Sequence, residues 1–471
     1  MKVKLILPAL AEATQPHYRP IKYALFPPLG LATLAGYLDP DDQITLEDEH
    51  VQSIHLDDDP DLVAIEVYIT SAKRAYKLAD YYRSRGVHVC LGGLHVTSLP
   101  EEAAAHADTI FLGPGEDTWP AFLKDFRKGN PKNVYQSTVR TLADMPRPRR
   151  DLFQRGRYLV PNSIVVSRGC PHACDFCYKE SFYRGGKSFY TQAVDAALLE
   201  IDSLPGRHLY FLDDHLFGDP RFASALFDGL RGMDRVWQAA ATVRSVLQPR
   251  LLDQAASVGL GSLFIGFETL SSANLEAQKK RQNLNLDYSA AVTRLHDLGV
   301  MVNASFVFGM DEDDETVFPR TVEWAVKLGI ETATFHILTP YPGTVLHQKM
   351  AAQNRILHTD WDRYDTRHTV FRPAHMTPEA LEAGYWSAYR QFYGWTSIWE
   401  AARSKPGFAQ KLRHLAYSAG WKKAEPVWDW VIRRGFLPYF LPVLESVLSG
   451  SPQKSEQPQK LTAPLLEENQ S

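Results

Sequence analysis

The sequence predicts an α/β protein in three ordered parts: a doubly wound parallel sheet, a partial (β/α)6 barrel and a helical region. Three observations carry this. Short β-rich runs alternate with helical patterns over residues 1–143, a second alternation over 163–350 supplies six strand candidates, and 351–450 keeps helical spacing rich in aromatics. Alternation of this kind places parallel strands side by side with crossover helices on their faces. With 471 residues, 45% hydrophobic and 23% charged, the chain is long enough for more than one core.

In the first part "VKLILP", "QITLEDEHV", "LVAIEVYIT", "VHVCLGG" and "TIFLGPG" read as strands, with "LGLATLAGYL", "AKRAYKLADYYRSRG" and "EEAAAHA" as helices. Ligands of such sheets sit outside the carboxyl ends of the strands. The Pro/Arg stretch "DMPRPRRDLF" interrupts the alternation, so 144–162 reads as a linker. The barrel strands are "IVVS", "HLYFLDD", "WQAAATV", "SLFIGFE", "VNASFVFG" and "TATFHILTP", each followed by a turn and a helical pattern. Arg168, Asp213, Arg244, Glu268, Gly309 and Tyr341 stand at or just past strand ends, the face on which barrel sites are built. Residues 451–471 are polar and read as a disordered tail.

Charge and composition narrow the partners. A net charge of -4 without a long Lys/Arg run argues against nucleic acid. There is no 18-residue apolar stretch and no charged-then-apolar leader, so a cytoplasmic location is expected. Four cysteines cannot staple a chain of this length, and three of them stand within residues 170–177. A reducing compartment leaves those three free to bind metal as thiolates.

Cys170, Cys174 and Cys177 form C-x-x-x-C-x-x-C directly after the first barrel strand. A structural zinc loop is one reading, although such sites take four protein ligands and only His172 lies nearby. A four-iron four-sulfur cluster held by three thiolates is the other, and it keeps one iron open to a substrate or cofactor. With Phe176 before the last cysteine and six barrel strands around it, the motif resembles the radical S-adenosylmethionine (SAM) superfamily. That resemblance implies that the open iron chelates SAM and that electron transfer cleaves it to a 5'-deoxyadenosyl radical. It assigns Phe176 to adenine, Asp213 or Asp214 to the SAM amino group, Arg244 to its carboxylate and Glu268 to its ribose. Gly309 is expected either to let backbone approach adenine or to serve a turn, and Tyr341 falls in "TPYPGTVL", similar to the family's closing loop.

The first part resembles the flavodoxin-like cobalamin-binding module that precedes the barrel in class B radical SAM methyltransferases. "FPPLGLATLAGYL", "GGLHVTS" and "GPGEDTWPAFL" carry the likeness. It implies that Gly92, Gly93, Gly113 and Gly115 admit the nucleotide tail of the corrinoid, with His95, Thr97 and Ser98 beside it and Tyr68 near cobalt. The D-x-H-x-x-G motif that supplies a cobalt ligand elsewhere is absent from "ALAEATQPHYRP", so no histidine is expected below the cobalt. Cys90 lies within a strand and reads as core.

"DWDRYDTRHTVFRPAHMTPEALEAGYWSAYRQFYGWTSIW" resembles the helical region of a subgroup that includes hopanoid C-2 methylases. Trp361, Tyr364 and His368 fit helix packing better than a substrate cavity. Residues 421–445 interleave Trp, Phe and Leu with Lys/Arg, the composition either of a helix covering a core or of one at a membrane interface. The resemblance as a whole implies a methyltransferase acting on an unactivated carbon of a small-molecule or lipid-like substrate, through the deoxyadenosyl radical and methylcobalamin. Its cofactors would be the cluster, SAM and cobalamin, and its electron donor a flavodoxin or ferredoxin. The alternatives are a non-methylating oxidation, cyclisation or rearrangement with the same cofactors, and a non-catalytic corrinoid sensor or zinc scaffold.

Overall fold

The computed structural model describes residues 1–14, 24–434 and 436–449. The tail 451–471 and the second half of "ALAEATQPHYRP" lie outside them. Six strands, β1 (Lys2–Leu7), β2 (Gln43–Asp48), β3 (Leu62–Glu66), β4 (His88–Gly92), β5 (Thr109–Leu112) and β6 (Val134–Gln136), form one sheet of order β2-β1-β3-β4-β5-β6. Every pairing in it is parallel. The period-two alternation of side chains divides each strand between two cores. Leu62 and Ala64 of β3, Cys90 of β4 and Phe111 of β5 pack with the helices Leu29–Ala35 and Thr118–Arg127. Val63, Ile65, Val89, Leu91 and Ile110 face the opposite way, onto the helix Ala72–Ser84. Helices on both faces make the sheet doubly wound, and its order reverses between β1 and β3, the switch point at which such sheets bind ligands.

Phe153 and Tyr158, in the predicted linker, are buried in the first of these cores, and the Tyr158 hydroxyl donates to Asp48 Oδ2 at 3.0 Å. The segment is therefore a strap packed on the first sheet.

The second sheet contains β7 (Ser163–Ile164), β10 (His208–Phe211), β11 (Val236–Ala241), β12 (Leu260–Glu268), β13 (Met301–Phe308) and β14 (Thr332–Ile337), paired in that order and parallel throughout. It stays open between β7 and β14, so it is a partial barrel. Between β7 and β10 the chain makes a short antiparallel pair, β8 (Ser167–Gly169) with β9 (Phe189–Thr191). Gly169 has φ +78°, and a Cβ there would lie 1.9 Å from the Ser188 carbonyl, so only glycine lets the pair close. Cys170 N donates to that carbonyl at 2.9 Å, fixing the start of the cysteine loop.

The C-terminal helices finish the barrel. β14 is an edge strand with unpaired backbone groups. Tyr393 Oη accepts from Ala333 N at 3.1 Å, Tyr389 Oη accepts from Phe335 N at 3.2 Å, and the Thr366 carbonyl accepts from Ile337 N at 2.7 Å. The helix Phe408–Lys422 carries Tyr417, whose hydroxyl accepts from Gln238 of β11 and Asn303 of β13. No helix among the described residues is long and apolar enough to cross a membrane.

Candidate functional site

A cavity of about 150 Å³ lies at the carboxyl ends of β3, β4 and β5. Gly92, Gly93, Gly113 and Gly115 line it, with Gly30 of the facing helix. Gly93 (φ +112°) packs so tightly that a Cβ would lie 2.9 Å from the Val67 carbonyl, and Gly113 has φ +78°. These turns floor the cavity, and at each of the four glycines a Cβ would meet protein atoms, so close packing of the turns accounts for them. The wall opposite comes from the barrel: Arg168, Phe182 and Tyr183. Arg168 Nε stands 3.0 Å from Glu116 Oε1 of the first domain and is two residues before Cys170.

Other residues expected around the corrinoid are engaged elsewhere. Thr97 Oγ1 donates to the Gly93 carbonyl at 2.9 Å and accepts from Gly113 N at 3.0 Å, so it braces the two glycine turns. His95 is buried, with Nε2 2.9 Å from Glu102 Oε1 and its ring beside Trp361 and Tyr76. Burial lowers its pKa, Glu102 opposing. It is a packed histidine outside the cavity, as Thr97 and Ser98 also are. Tyr68, 38% exposed, donates from its hydroxyl to Glu66 Oε1 at 3.0 Å. Cys90 is buried.

The three cysteines of the loop are free thiols, Cys174 buried and Cys170 and Cys177 half-buried. Burial pushes the Cys177 thiol up to about 11 and raises Cys170 as well, while Lys179 opposes both. Among the described residues no three His, Cys, Asp or Glu side chains converge so as to hold a single metal ion. A larger polynuclear centre suits a donor set of three thiolates flanked by cations. Lys179 Nζ stands 3.1 Å from Asp214 Oδ1, Lys280 Nζ stands 5.8 Å above the Phe176 ring, and Gln282 Nε2 donates to Cys174 Sγ at 3.3 Å.

The two aspartates after β10 part company. Asp213 is buried and accepts from Val166 N at 3.2 Å and from both Ser167 N and Ser167 Oγ. It is turned to the backbone ahead of the cysteine loop, because the chain there leaves the sheet and its N–H groups need an acceptor. The expectation that it meets the SAM amino group is therefore corrected. Asp214 accepts from Gly169 N at 3.1 Å and faces Lys179, beside the loop. Arg244 is exposed just past β11 and near enough to His172 to lower its pKa, after burial and Lys280. Glu268 ends β12 with φ +65° at a register shift and pairs with Lys280 at 2.5 Å. Gly309 (φ +92°) serves a turn: Asp313 Oδ2 accepts from its N–H at 3.0 Å, and a Cβ would strike Leu381 at 2.6 Å, not open space. Tyr341, in the loop past the last strand, is half-buried, and burial raises its pKa, with Glu12 and Asp365 adding to the effect. Trp361 Nε1 donates to Glu102 Oε2 at 3.0 Å and Tyr364 Oη to the His358 carbonyl at 2.8 Å, so both are packing residues.

Lys179, His215, Lys280 and Gln282 were missed. His215 is buried with its ring 5.7 Å from that of His172, and burial followed by His172 lowers its pKa to about 3, leaving it neutral. Lys179 could have been found from its place two residues past Cys177. His215 directly follows Asp214 and could have been found in the same way, whereas nothing local marks Lys280 and Gln282.

Comparison with known proteins agrees with both halves of this site. Residues 23–123 match the B12 binding domain and residues 164–325 the Radical SAM superfamily. The chain is 30% identical over 359 residues to the bacteriochlorophyllide d C-12(1)-methyltransferase of Chlorobaculum tepidum, covering 74% of this chain and 77% of that protein. It is 23% identical to the hopanoid C-2 methylase of Rhodopseudomonas palustris, over 72% of this chain and 66% of that one. Its fold is similar to that of the cobalamin-dependent SAM radical enzyme OxsB, with a TM-score of 0.65 at 16% identity, covering 95% of this chain and 75% of OxsB. The chain belongs to the cobalamin-dependent radical SAM methyltransferases, enzymes whose cofactors are cobalamin, a four-iron four-sulfur cluster and SAM.

Proposed function

We propose that this enzyme methylates an unactivated carbon of a largely apolar, ring-rich substrate. One observation supports the reading: Arg168, two residues before Cys170 in the strand that leads into the cysteine loop, also walls the cavity of the first domain and pairs with its Glu116, so the site read for the cluster and the site read for the corrinoid are neighbours. The names of the two relatives, a bacteriochlorophyllide d methyltransferase and a hopanoid methylase, support the substrate class.

The cofactors supply the radical and the methyl group when bound. The chain's own residues bind, orient and shield. Cys170, Cys174 and Cys177 would hold the cluster; Asp214 and Arg244, one carboxylate and one guanidinium, suit the ammonium and carboxylate of SAM. Glu268 suits a ribose diol. The cavity floored by the glycine turns of β4 and β5 would take the corrinoid tail. Electrons would come from a flavodoxin- or ferredoxin-type donor.

The test is product analysis of the anaerobically reconstituted protein with hydroxocobalamin, SAM, a low-potential reductant and bacteriochlorophyllide- and hopanoid-type substrates. Methyl transfer yields S-adenosylhomocysteine together with 5'-deoxyadenosine. Deoxyadenosine without the homocysteine product would favour an oxidation or cyclisation instead.

Peripheral membrane contact fits such a substrate. Trp430, Tyr439 and Val443 of the region 421–445 are exposed, as are Trp395 and Trp399 nearby. Sedimentation with anionic lipid vesicles tests this, and failure to co-sediment at low salt would remove it.

A further inference from the structure

Residues 278–283, the turn that follows the helix Ser272–Ala277, fold back over the cysteine loop from more than a hundred positions away. Asp175 N of the loop donates to the Gln278 carbonyl at 3.1 Å, and the Asn283 side chain anchors the turn to β12 by donating from Nδ2 to the Gly266 carbonyl at 2.8 Å. Two polar side chains of this turn are delivered to the sulfurs. Gln282, 5% exposed, gives the hydrogen bond to Cys174 Sγ. Lys280, 8% exposed, stands over Phe176 and within electrostatic reach of Cys170, Cys174 and Cys177. Its one ion-pair partner among the described residues is Glu268.

A buried Lys–Glu pair is no more stabilising than apolar side chains of the same volume, so packing alone gives little reason for it. A site whose negative charge increases during turnover gives a reason. We propose that Lys280 and Gln282 set the reduction potential of the cluster that the three cysteines hold, raising it so that one electron from a ferredoxin- or flavodoxin-class donor is more readily accepted. This rests on the cluster reading, which iron and sulfide content reports separately. The added electron places one more negative charge beside the ammonium, and at low effective dielectric that attraction is strong. The N–H···S hydrogen bond acts in the same direction. Glu268 opposes both. Lys280 is thus a positioning residue for charge and forms no bond to substrate.

The experiment is an anaerobic redox titration of the reconstituted full chain, followed by electron paramagnetic resonance without SAM. Lys280→Met is expected to lower the ratio of reduced to oxidised cluster about tenfold at fixed ambient potential, equivalent to about 59 mV for one electron. Gln282→Leu should shift it the same way by less, Lys280→Arg should restore the parent value, and Glu268→Gln should move it upward. A fully loaded Lys280→Met with an unchanged or raised midpoint overturns the proposal. Should that variant fail to load iron, Glu268→Gln decides, because it keeps the lysine: an unchanged or lowered midpoint there also overturns it. A parent chain that takes up no iron and sulfide would instead overturn the cluster reading, before any potential is measured.

Discussion

Asp213 and Asp214 are adjacent in sequence yet serve different ends. Asp213 is the acceptor for the backbone that launches the cysteine loop; Asp214 borders the space beside the cysteines. Asp213→Ala leaves buried donors without an acceptor, at about 1–3 kcal/mol for each group stranded. The expected outcome is loss of bound iron, read by colorimetric assay. Asp214→Asn should keep iron and weaken SAM binding, read by calorimetry on the reconstituted protein. The same pair predicts a pH dependence. Burial pushes Asp213 up to about 7, against the pull of Ser167 and the backbone N–H groups. Between its ordinary value of 3.8 and 7 the folded chain binds the extra proton, so this group's contribution to stability falls as pH rises through that window and is level above it. Denaturant midpoints of parent and Asp213→Asn from pH 4 to 8 should converge at the acid end. Sequence spacing identified the cysteine trio because its ligands are local. It could not orient Asp213, since the direction of a side chain past a strand end depends on which backbone groups the fold leaves unpaired. Lys280 and Gln282 were illegible for a related reason: Phe176 and Cys174, the residues of the cysteine loop that they meet, lie more than a hundred positions away, although Glu268, the ion-pair partner of Lys280, is close in sequence.

At the scale of elements, the longer strands were readable because they are apolar runs bounded by turns, whereas β6, β8 and β9, of three residues each, were not, being too short to show a period. The sealing of the barrel's open edge was not readable, because Tyr389 and Tyr393 have helical spacing that suits any packed helix. Their hydroxyls satisfy Phe335 N and Ala333 N of β14, which would otherwise be buried and unpaired. Each also returns a bond to the carbonyl of the same residue, at 3.3 Å and 2.9 Å. Tyr393→Phe keeps the ring and removes only these bonds, so it is expected to destabilise by about 1–3 kcal/mol. Tyr389→Phe should do likewise, and amide exchange at residues 333 and 335 should rise in each variant more than at the interior strand β12. A stability loss without that local rise would mean that the rings, and not the hydroxyls, hold the edge.

At the scale of the molecule, the cavity proposed for the corrinoid is incomplete in either domain alone. The first sheet supplies its glycine floor, and the barrel supplies Arg168, Phe182 and Tyr183. Further ties across the same boundary, Lys73 to Asp362 at 2.9 Å and Trp361 to Glu102 at 3.0 Å, hold the C-terminal region onto the first domain as well. The order of the domains was visible in the sequence; that they share a wall was not, since Arg168 reads as a residue of the barrel strand. Arg168→Ala is expected to weaken hydroxocobalamin binding about tenfold, about 1.4 kcal/mol, in an absorbance titration, with iron content unchanged. Glu116→Gln, which leaves the guanidinium in place but removes the neighbouring charge, should have a smaller effect. Because the wall is shared, corrinoid at a hundred times its Kd should stabilise both halves together by about 2.7 kcal/mol, raising a single calorimetric transition. Two transitions, of which only the earlier shifts with corrinoid, would instead assign the whole pocket to the first domain, and an unaltered titration for Arg168→Ala would agree with them.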